Sequence, residues 1–258
     1  MQPKHAISLA LLCFSLTQLK AQTGPGSVES KNKQEQVNLV KLNLTALALK
    51  NYSFQYERTL NRKVSVALGV RTMPSTTLPF KNAIVKQVGD DDADTKNTIE
   101  NFKLSNFSLT PEVRIYLSKK GYGRGFYLAP FYRYASFKTS TLNFDYEGAG
   151  TSGTISLSGK LTANTGGLML GAQWPLSKRL SLDWWILGPH YGSGTGEFTG
   201  KTSHTMTAEE QNDLRNQLND LDIPLTDKTV TVNANGATLK LDGPWGGIRS
   251  GILLGFKF

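Results

Sequence analysis

The last eleven residues of the chain alternate almost strictly between apolar side chains and small or charged ones. From Ile248 to Phe258 the even positions are apolar apart from one serine, whereas the odd positions include Arg249 and Lys257. A period of two places the two sets on opposite faces of a β-strand. The pattern therefore predicts a closing strand with one apolar face and one small or charged face.

Seven earlier segments alternate in the same way, so the sequence predicts eight strands in all. These segments are residues 37–49, 52–58, 64–71, 104–117, 125–137, 161–174 and 179–190. The connections alternate in length, with short turns at residues 61–63, 118–124 and 175–178 and long loops at residues 73–103, 138–160 and 191–244. Such an alternation is typical of a transmembrane β-barrel that has both termini in the periplasm.

The last long loop contains secondary-structure signals of its own. Thr207 and Glu210 match a capping box at the start of a helix. The leucines that follow at helical spacing are Leu214, Leu218 and Leu221. Alternating residues on both sides of Asn235 and Gly236 predict a β-hairpin. The loop is therefore expected to fold into a small cap, whose leucines either seat the helix on the rim or offer a groove to a partner.

Two prolines fall inside predicted strands, where each removes one hydrogen bond of the ladder. A turn centred between residues 120 and 121 would place Pro111 directly opposite Pro130 on the outward face. One local gap or bulge would then absorb both missing donors.

The N-terminus has the three regions of a secretory signal. Lys4 and His5 precede an apolar run at residues 6–16, and Ala21 ends a plausible cleavage site. We therefore expect a signal peptide at residues 1–21, a flexible polar tail at residues 22–36 and a β-barrel at residues 37–258. The chain's one cysteine, Cys13, lies in the signal, so the mature protein would form no disulfide.

Composition narrows the choice of environment. Removing Lys4 and Lys20 with the signal leaves 27 basic residues against 20 acidic ones, a net charge of +7. The basic residues are spread over turns and inward positions, which favours anionic lipid head groups over nucleic acid as neighbours. No apolar stretch reaches the roughly 18 residues of a transmembrane helix, so only β-strands could carry this chain across a membrane.

These features predict an all-β fold, an eight-stranded antiparallel transmembrane β-barrel of the cell outer membrane with long outer loops, one containing a short helix. Aromatic residues should form two girdles on its lipid face. The lower girdle would contain Phe126, Trp174, Trp184, Phe256 and Phe258, and the upper one Tyr52, Tyr134 and Trp245. Phe256 and Phe258 would also serve as the C-terminal signal that the barrel assembly machinery recognises.

A barrel of eight strands is just wide enough for its own side chains to fill the interior. The inward charged residues of the strands would be Glu57, Arg71, Glu112, Arg114, Arg133, Asp183 and Arg249, with Lys41 and Lys257 near the periplasmic rim. Because isolated buried charges are costly, these side chains should pair with one another. A paired network would make a structural core, and a charged conduit for ions or small solutes is the alternative.

The sequence predicts no catalytic, cofactor or metal site. His190 and Ser193 are spaced so that their side chains point to opposite faces of a strand, and His204 next to Ser203 lacks an obvious acidic partner. An acidic loop carries Asp90, Asp92 and Asp94 at the first three ligand positions of a calcium loop. Thr95 and Asn101 replace its glycine and its bidentate glutamate, so a solvated loop is favoured over a cation site.

Four segments, residues 51–58, 64–74, 125–134 and 247–258, resemble a family of functionally uncharacterised outer-membrane β-barrel proteins of Gram-negative bacteria. The resemblance implies the barrel and its location and brings no known active site. We therefore expect a non-enzymatic surface or structural barrel whose outer loops contact an extracellular ligand or protein. A narrow channel is the first alternative, and a lipid-modifying or proteolytic enzyme of the outer membrane is the second.

Overall fold

The computed structural model of the chain describes residues 37–78, 81–86, 96, 99–119, 121–148 and 151–258. The expected signal peptide, the N-terminal tail and the acidic loop with Asp90, Asp92 and Asp94 lie outside the described residues. In the described part, no helix is both long enough and apolar enough to cross a membrane.

The described elements follow a simple order along the chain. They are β1 (Asn38–Asn43), α1 (Leu44–Ala48), β2 (Tyr52–Thr59), β3 (Val64–Thr77), α2 (Lys81–Val85), β4 (Lys103–Tyr116), β5 (Gly125–Thr139), β6 (Leu142–Gly148), β7 (Thr151–Pro175), β8 (Leu180–Thr202), α3 (Ala208–Asp220), β9 (Asp227–Asn233) and β10 (Gly236–Lys257).

Eight of these strands close into an antiparallel ring in the order β1, β2, β3, β4, β5, β7, β8 and β10. The ring closes where β1 pairs with β10, from Leu39 opposite Lys257 to Asn43 opposite Leu253. β6 pairs with β7, and β9 pairs with β10. The predicted all-β fold with eight antiparallel strands is confirmed at this level.

Side chains in the ring alternate between a buried inward face and an exposed outward face. In β2, for example, Tyr52, Phe54 and Tyr56 are exposed while Ser53 and Gln55 are buried. The outward face is apolar on every strand, and Phe54, Leu68 and Trp184 keep between 45% and 51% of their surface exposed. The inward face is mostly polar or small, as the alternation in the sequence predicts, but it also carries a buried cluster that includes Tyr127, Met169 and Leu253.

β8 contains one extra residue that shifts its alternation. Trp185 pairs with Gly171 and Leu187 with Leu170, so Ile186 has no partner of its own in β7. This β-bulge changes the inward positions from odd to even numbers. Trp185 and His190 consequently both face the interior, although five positions separate them.

The first strand is shorter than predicted. β1 ends at Asn43, and residues 44–48 form α1 instead of continuing the strand. The Asn43 side chain accepts a hydrogen bond of 3.0 Å from the backbone N–H of Ala46 and caps the helix. The alternating leucines and alanines of this segment fit a strand, but both residues also favour helices strongly.

The predicted opposition of the two prolines is wrong by two residues. Leu109 pairs with Tyr134 and Glu112 with Phe131, which puts Pro111 opposite Tyr132. Pro111 and Pro130 still share the outward face, but each interrupts the ladder separately. The centre of the turn lies between residues 121 and 122, one residue later than assumed, and Gly121, Tyr122 and Gly123 all adopt positive φ there.

The two loops predicted at residues 138–160 and 191–244 consist largely of strand. β7, β8 and β10 continue past the ring through residues 151–160, 195–202 and 236–242. With β6 and β9, these residues form a sheet that we call the extension. The helix and the hairpin predicted inside the second loop are confirmed as α3, with its Thr207 and Glu210 capping box, and as the turn between β9 and β10. Gly, Ser and Thr dominate the missed strands, which weakens their apolar period.

Candidate functional site

The interior of the ring holds six charged side chains in mutual contact. This ion network comprises Lys41, Glu57, Glu112, Arg114, Asp183 and Arg249. None of the six is more than 7% exposed. Three cations face three carboxylates, so the network carries no net charge.

Arg114 is the centre of the ion network. Its Nη1 donates to Glu57 Oε2 at 3.0 Å and to Asp183 Oδ2 at 2.6 Å, and its Nε donates to Glu112 Oε1 at 2.6 Å. The guanidinium group also lies 4.5 Å from the centre of the Tyr127 ring. One side chain thus holds all three carboxylates of the interior, a use that suits the fixed fork of guanidinium donors.

Lys41 and Arg249 complete the network from two sides. Lys41 Nζ donates to Glu57 and, at 2.6 Å, to Asp183, while Arg249 donates two bonds of 3.3 Å to Glu112. Neutral groups satisfy the remaining acceptors of the carboxylates. They are Ser65, Gln55, Tyr116 and Tyr127. Because its members are satisfied, the network can remain ionised away from water.

The structure does not bring all the predicted interior charges together. Arg71 donates from Nε to Asn51 Oδ1 at 2.9 Å, and Arg133 donates to Thr110 Oγ1 at 3.3 Å. Among the described side chains, neither arginine contacts a carboxylate. Both are partly exposed, in contrast to the buried network beside them. Glu57, Glu112, Arg114, Asp183 and Arg249 therefore form one group, and Arg71 and Arg133 stand apart from it.

Two residues lie elsewhere than predicted. Lys41 was expected near the rim and instead sits in the middle of the network. Trp245 was expected on the outward face, but its ring lies 5.7 Å from that of Phe137 on β5. Because β7 and β8 separate β5 from β10, the two rings can meet only across the interior. β10 alternates without a bulge of its own, so Trp245 shares the inward face with Arg249.

The sequence pattern also missed several aromatic residues of the interior. Arg249 lies 4.4 Å from the centre of the Phe131 ring and 4.5 Å from that of Trp185. His190 faces Phe131 with ring centres 6.0 Å apart. Phe131 follows the inward parity of Arg133 and could have been assigned. Trp185 follows the inward parity of Asp183 and could also have been assigned, whereas His190 could not, because nothing in the sequence marks the bulge at Ile186.

His204, which lies outside the ring, does have an acidic neighbour, contrary to expectation. His204 Nε2 lies 3.4 Å from a carboxylate oxygen of Glu210. That carboxylate already accepts the backbone N–H of Thr207 in the capping box, which lowers the pKa of Glu210. Ser203 Oγ accepts a backbone N–H from Thr154 at 2.9 Å. The Glu210 carboxylate thus takes part in the cap of α3, and Ser203 is bonded to β7.

The described residues contain no group of three or more His, Cys, Asp or Glu side chains that could hold a metal ion. An apolar cleft of about 380 Å³ separates α3 from the inward face of the extension. It is lined by Ile155, Leu157, Phe198, Leu214, Leu218, Leu221, Leu239 and Leu241, among others. The three leucines of the helix thus face the sheet across this cleft.

Comparison with known proteins gives a family and no activity. Residues 9–214 match the model of a family described as a protein of unknown function, DUF3575. The chain belongs to this family. The DUF3575 match ends inside α3, so β9 and β10 lie beyond it. No curated protein and no solved structure matches the chain.

Proposed function

We propose that this chain is a non-enzymatic β-barrel protein of the outer membrane of a Gram-negative bacterium. The ring spans the bilayer, and the extension stands outside the cell, where it contacts a ligand or a partner protein. The expected neighbours of the ring are outer-membrane lipids along its outward face. The barrel assembly machinery would recognise Phe256 and Phe258, which are 47% and 66% exposed on that face.

The observation that carries this proposal is a reversal of polarity within single strands. In the ring, the outward positions of β7, β8 and β10 are apolar and include Leu168, Leu170, Trp184, Ile252 and Leu254. In the extension, the outward positions of the same strands include Lys160, Thr195, Glu197, Lys240 and Asp242. The inward face changes in the opposite sense, from mostly polar or small in the ring to apolar in the cleft.

A sheet surrounded by water on its whole length would keep its apolar face covered throughout. A reversal at a fixed height instead matches a change of surroundings from lipid to water. On β4 the apolar outward positions run from Phe107 to Leu117. At about 3.3 Å per residue and a tilt of about 40°, this band is roughly 25 Å tall, which is the height of the lipid-facing belt in such barrels.

The interior supports a closed ring rather than a conduit. Lys41, Glu57, Arg114 and Asp183 are all 0% exposed and are bonded to one another across the interior. An ion would have to break several of these charge-assisted bonds to pass. The non-enzymatic part of the proposal is supported by His190 and Ser193, since the first faces the interior and the second the exposed side of β8.

Planar-bilayer recording tests the proposal. Protein that shows a heat-modifiable band on gels and floats with lipid vesicles should produce no stepwise current when added to the bilayer, because the ion network closes the ring. A general porin serves as the positive control for insertion. Regular current steps would favour the channel alternative, and failure to float with vesicles would contradict the membrane location.

A further inference from the structure

We infer that the part of the ring interior between the ion network and the extension binds a doubly charged oxyanion of the phosphate class. We call this space the upper chamber, and its polar walls are Arg71, Arg133, His190, Ser108 and Thr110. The inference goes beyond the proposed function and depends only on the ring interior, so it holds whether or not the ring lies in a membrane.

The first argument is the balance of charge. The ion network is neutral by itself, with three cations against three carboxylates. Arg71 on β3 and Arg133 on β5 add two positive charges that no described carboxylate offsets. Both feel the repulsion of Arg249 below them, and Arg133 also that of Arg71. Like charges held together in a partly dry interior are unfavourable unless an anion joins them.

The second argument is a set of buried polar groups without a protein partner. Ser108 is 1% exposed and lies directly opposite Arg71, yet its Oγ makes no hydrogen bond. Trp185 is 6% exposed, and its Nε1 makes none either. The Nδ1 atom of His190 is also buried and makes no hydrogen bond. Buried polar atoms are nearly always satisfied, so these unsatisfied atoms require an explanation.

These groups share the chemistry of an anion site. Hydroxyl, indole and imidazole N–H groups can all donate to an oxyanion, and a guanidinium group donates two parallel bonds to a phosphate. Among the described residues, Arg71 is held by Asn51 through Nε, and its two terminal nitrogens make no further hydrogen bond. Two arginines without a carboxylate partner among the described residues match two negative charges.

The strands across the ring from the arginines complete the wall of the upper chamber. Their inward positions at this height are mostly small residues, and Phe131, Trp245 and His190 pack against Gly167, Gly194 and Gly247 respectively. The rings of Phe131 and Trp185 beside Arg249 form the floor, and the Phe137 and Trp245 pair forms a partial roof. Arg71 and Arg133 remain partly exposed, so the chamber is reached from the extension and is closed below by the ion network.

Phosphate binding to the folded protein tests this inference. The protein is purified in a detergent without a phosphate group and titrated calorimetrically with inorganic phosphate at low ionic strength. We expect saturable binding of one phosphate per chain. Arg71→Gln and Arg133→Gln should each weaken it by at least about tenfold, since each removes charge-assisted hydrogen bonds. Arg179→Gln, at an exposed turn, is the matched control and should bind as the native chain does.

Thermal unfolding separates loss of the site from loss of the fold. Without phosphate, Arg133→Gln should unfold at the same temperature as the native chain or higher, because it removes repulsion. With phosphate, only the native chain and Arg179→Gln should be stabilised. Tighter binding of glycerol 3-phosphate than of inorganic phosphate would assign a phosphomonoester as ligand, and the reverse order a free anion. Absence of binding at millimolar phosphate, or equal binding by Arg71→Gln and Arg133→Gln, would overturn the inference.

Discussion

Replacing Arg114 with methionine should lower the free energy of unfolding by about 3–5 kcal/mol, the usual cost of removing one partner from a buried ion pair. Arg114 is fully buried and holds Glu57, Glu112 and Asp183 at once. Methionine keeps most of the volume but leaves three carboxylates to share Lys41 and Arg249. The excess negative charge would be trapped in the interior, where water cannot solvate it.

Urea titration of the protein in detergent, followed on gels by the loss of the heat-modifiable band, measures this effect. Arg179→Met removes an exposed arginine of a turn and should change the free energy of unfolding by less than about 0.5 kcal/mol. The double variant Arg114→Met with Glu112→Gln should regain part of the loss, because it restores the balance of charge. Equal stability of Arg114→Met and the native chain would show that the network does not hold the interior together.

Placing an arginine on the outward face of the ring should cost about 2–4 kcal/mol if that face meets the centre of a bilayer. Leu68 is 45% exposed and pairs with Pro111 near the middle of the apolar belt. In water, an arginine at such an exposed position would be nearly neutral. The sign and size of the effect of Leu68→Arg therefore report the surroundings of the ring.

The control substitution for this experiment is at a residue of the extension. Thr195 faces outward on β8 in the same way as Leu68 does on β3, but its neighbours there are polar. Thr195→Arg should change the unfolding free energy in lipid vesicles by less than about 0.5 kcal/mol. If Leu68→Arg and Thr195→Arg are equally well tolerated in vesicles, the outward belt of the ring is not in contact with lipid.

The alternation of the sequence was sufficient to find the ring but not the extension. In the ring, large apolar residues such as Leu68 and Phe107 alternate with polar ones, and the period is unmistakable. In the extension, residues such as Thr195 and Gly196 carry little hydropathy on either face. The polarity of the two faces is also reversed there. Apolar residues point inward in the extension and outward in the ring, so the outward apolar pattern of the ring does not continue into these strands.

The contacts across the interior could be predicted only in part. Inward positions follow from parity, which is why Glu57, Arg114 and Asp183 could be assigned from the sequence. Which of these side chains are in contact depends on the stagger between strands that are far apart in the chain. The alternation of odd and even positions does not specify that stagger. For this reason Arg71 and Arg133 were expected to pair and do not, whereas Lys41 was expected at the rim and lies in the network.

Local irregularities account for the remaining differences. The bulge at Ile186 places His190 inside, and in the turn where Gly121, Tyr122 and Gly123 adopt positive φ the register of Pro111 moves by two residues. The cap provided by Asn43 ends β1 early. The bulge, the turn and the helix cap each depend on the local conformation of one or two residues. The alternating pattern of the sequence does not specify that conformation.

The central claim, that the outward face of the ring contacts lipid, is tested most directly by two adjacent tryptophans. Trp184 points outward and is 45% exposed, whereas Trp185 points inward and is 6% exposed. Two variants, each keeping one of these and carrying phenylalanine at the other three tryptophan positions, are reconstituted in vesicles of brominated phosphatidylcholine. The account predicts strong quenching of the Trp184 emission and little quenching of Trp185. Equal emission of Trp184 in brominated and ordinary vesicles would contradict it.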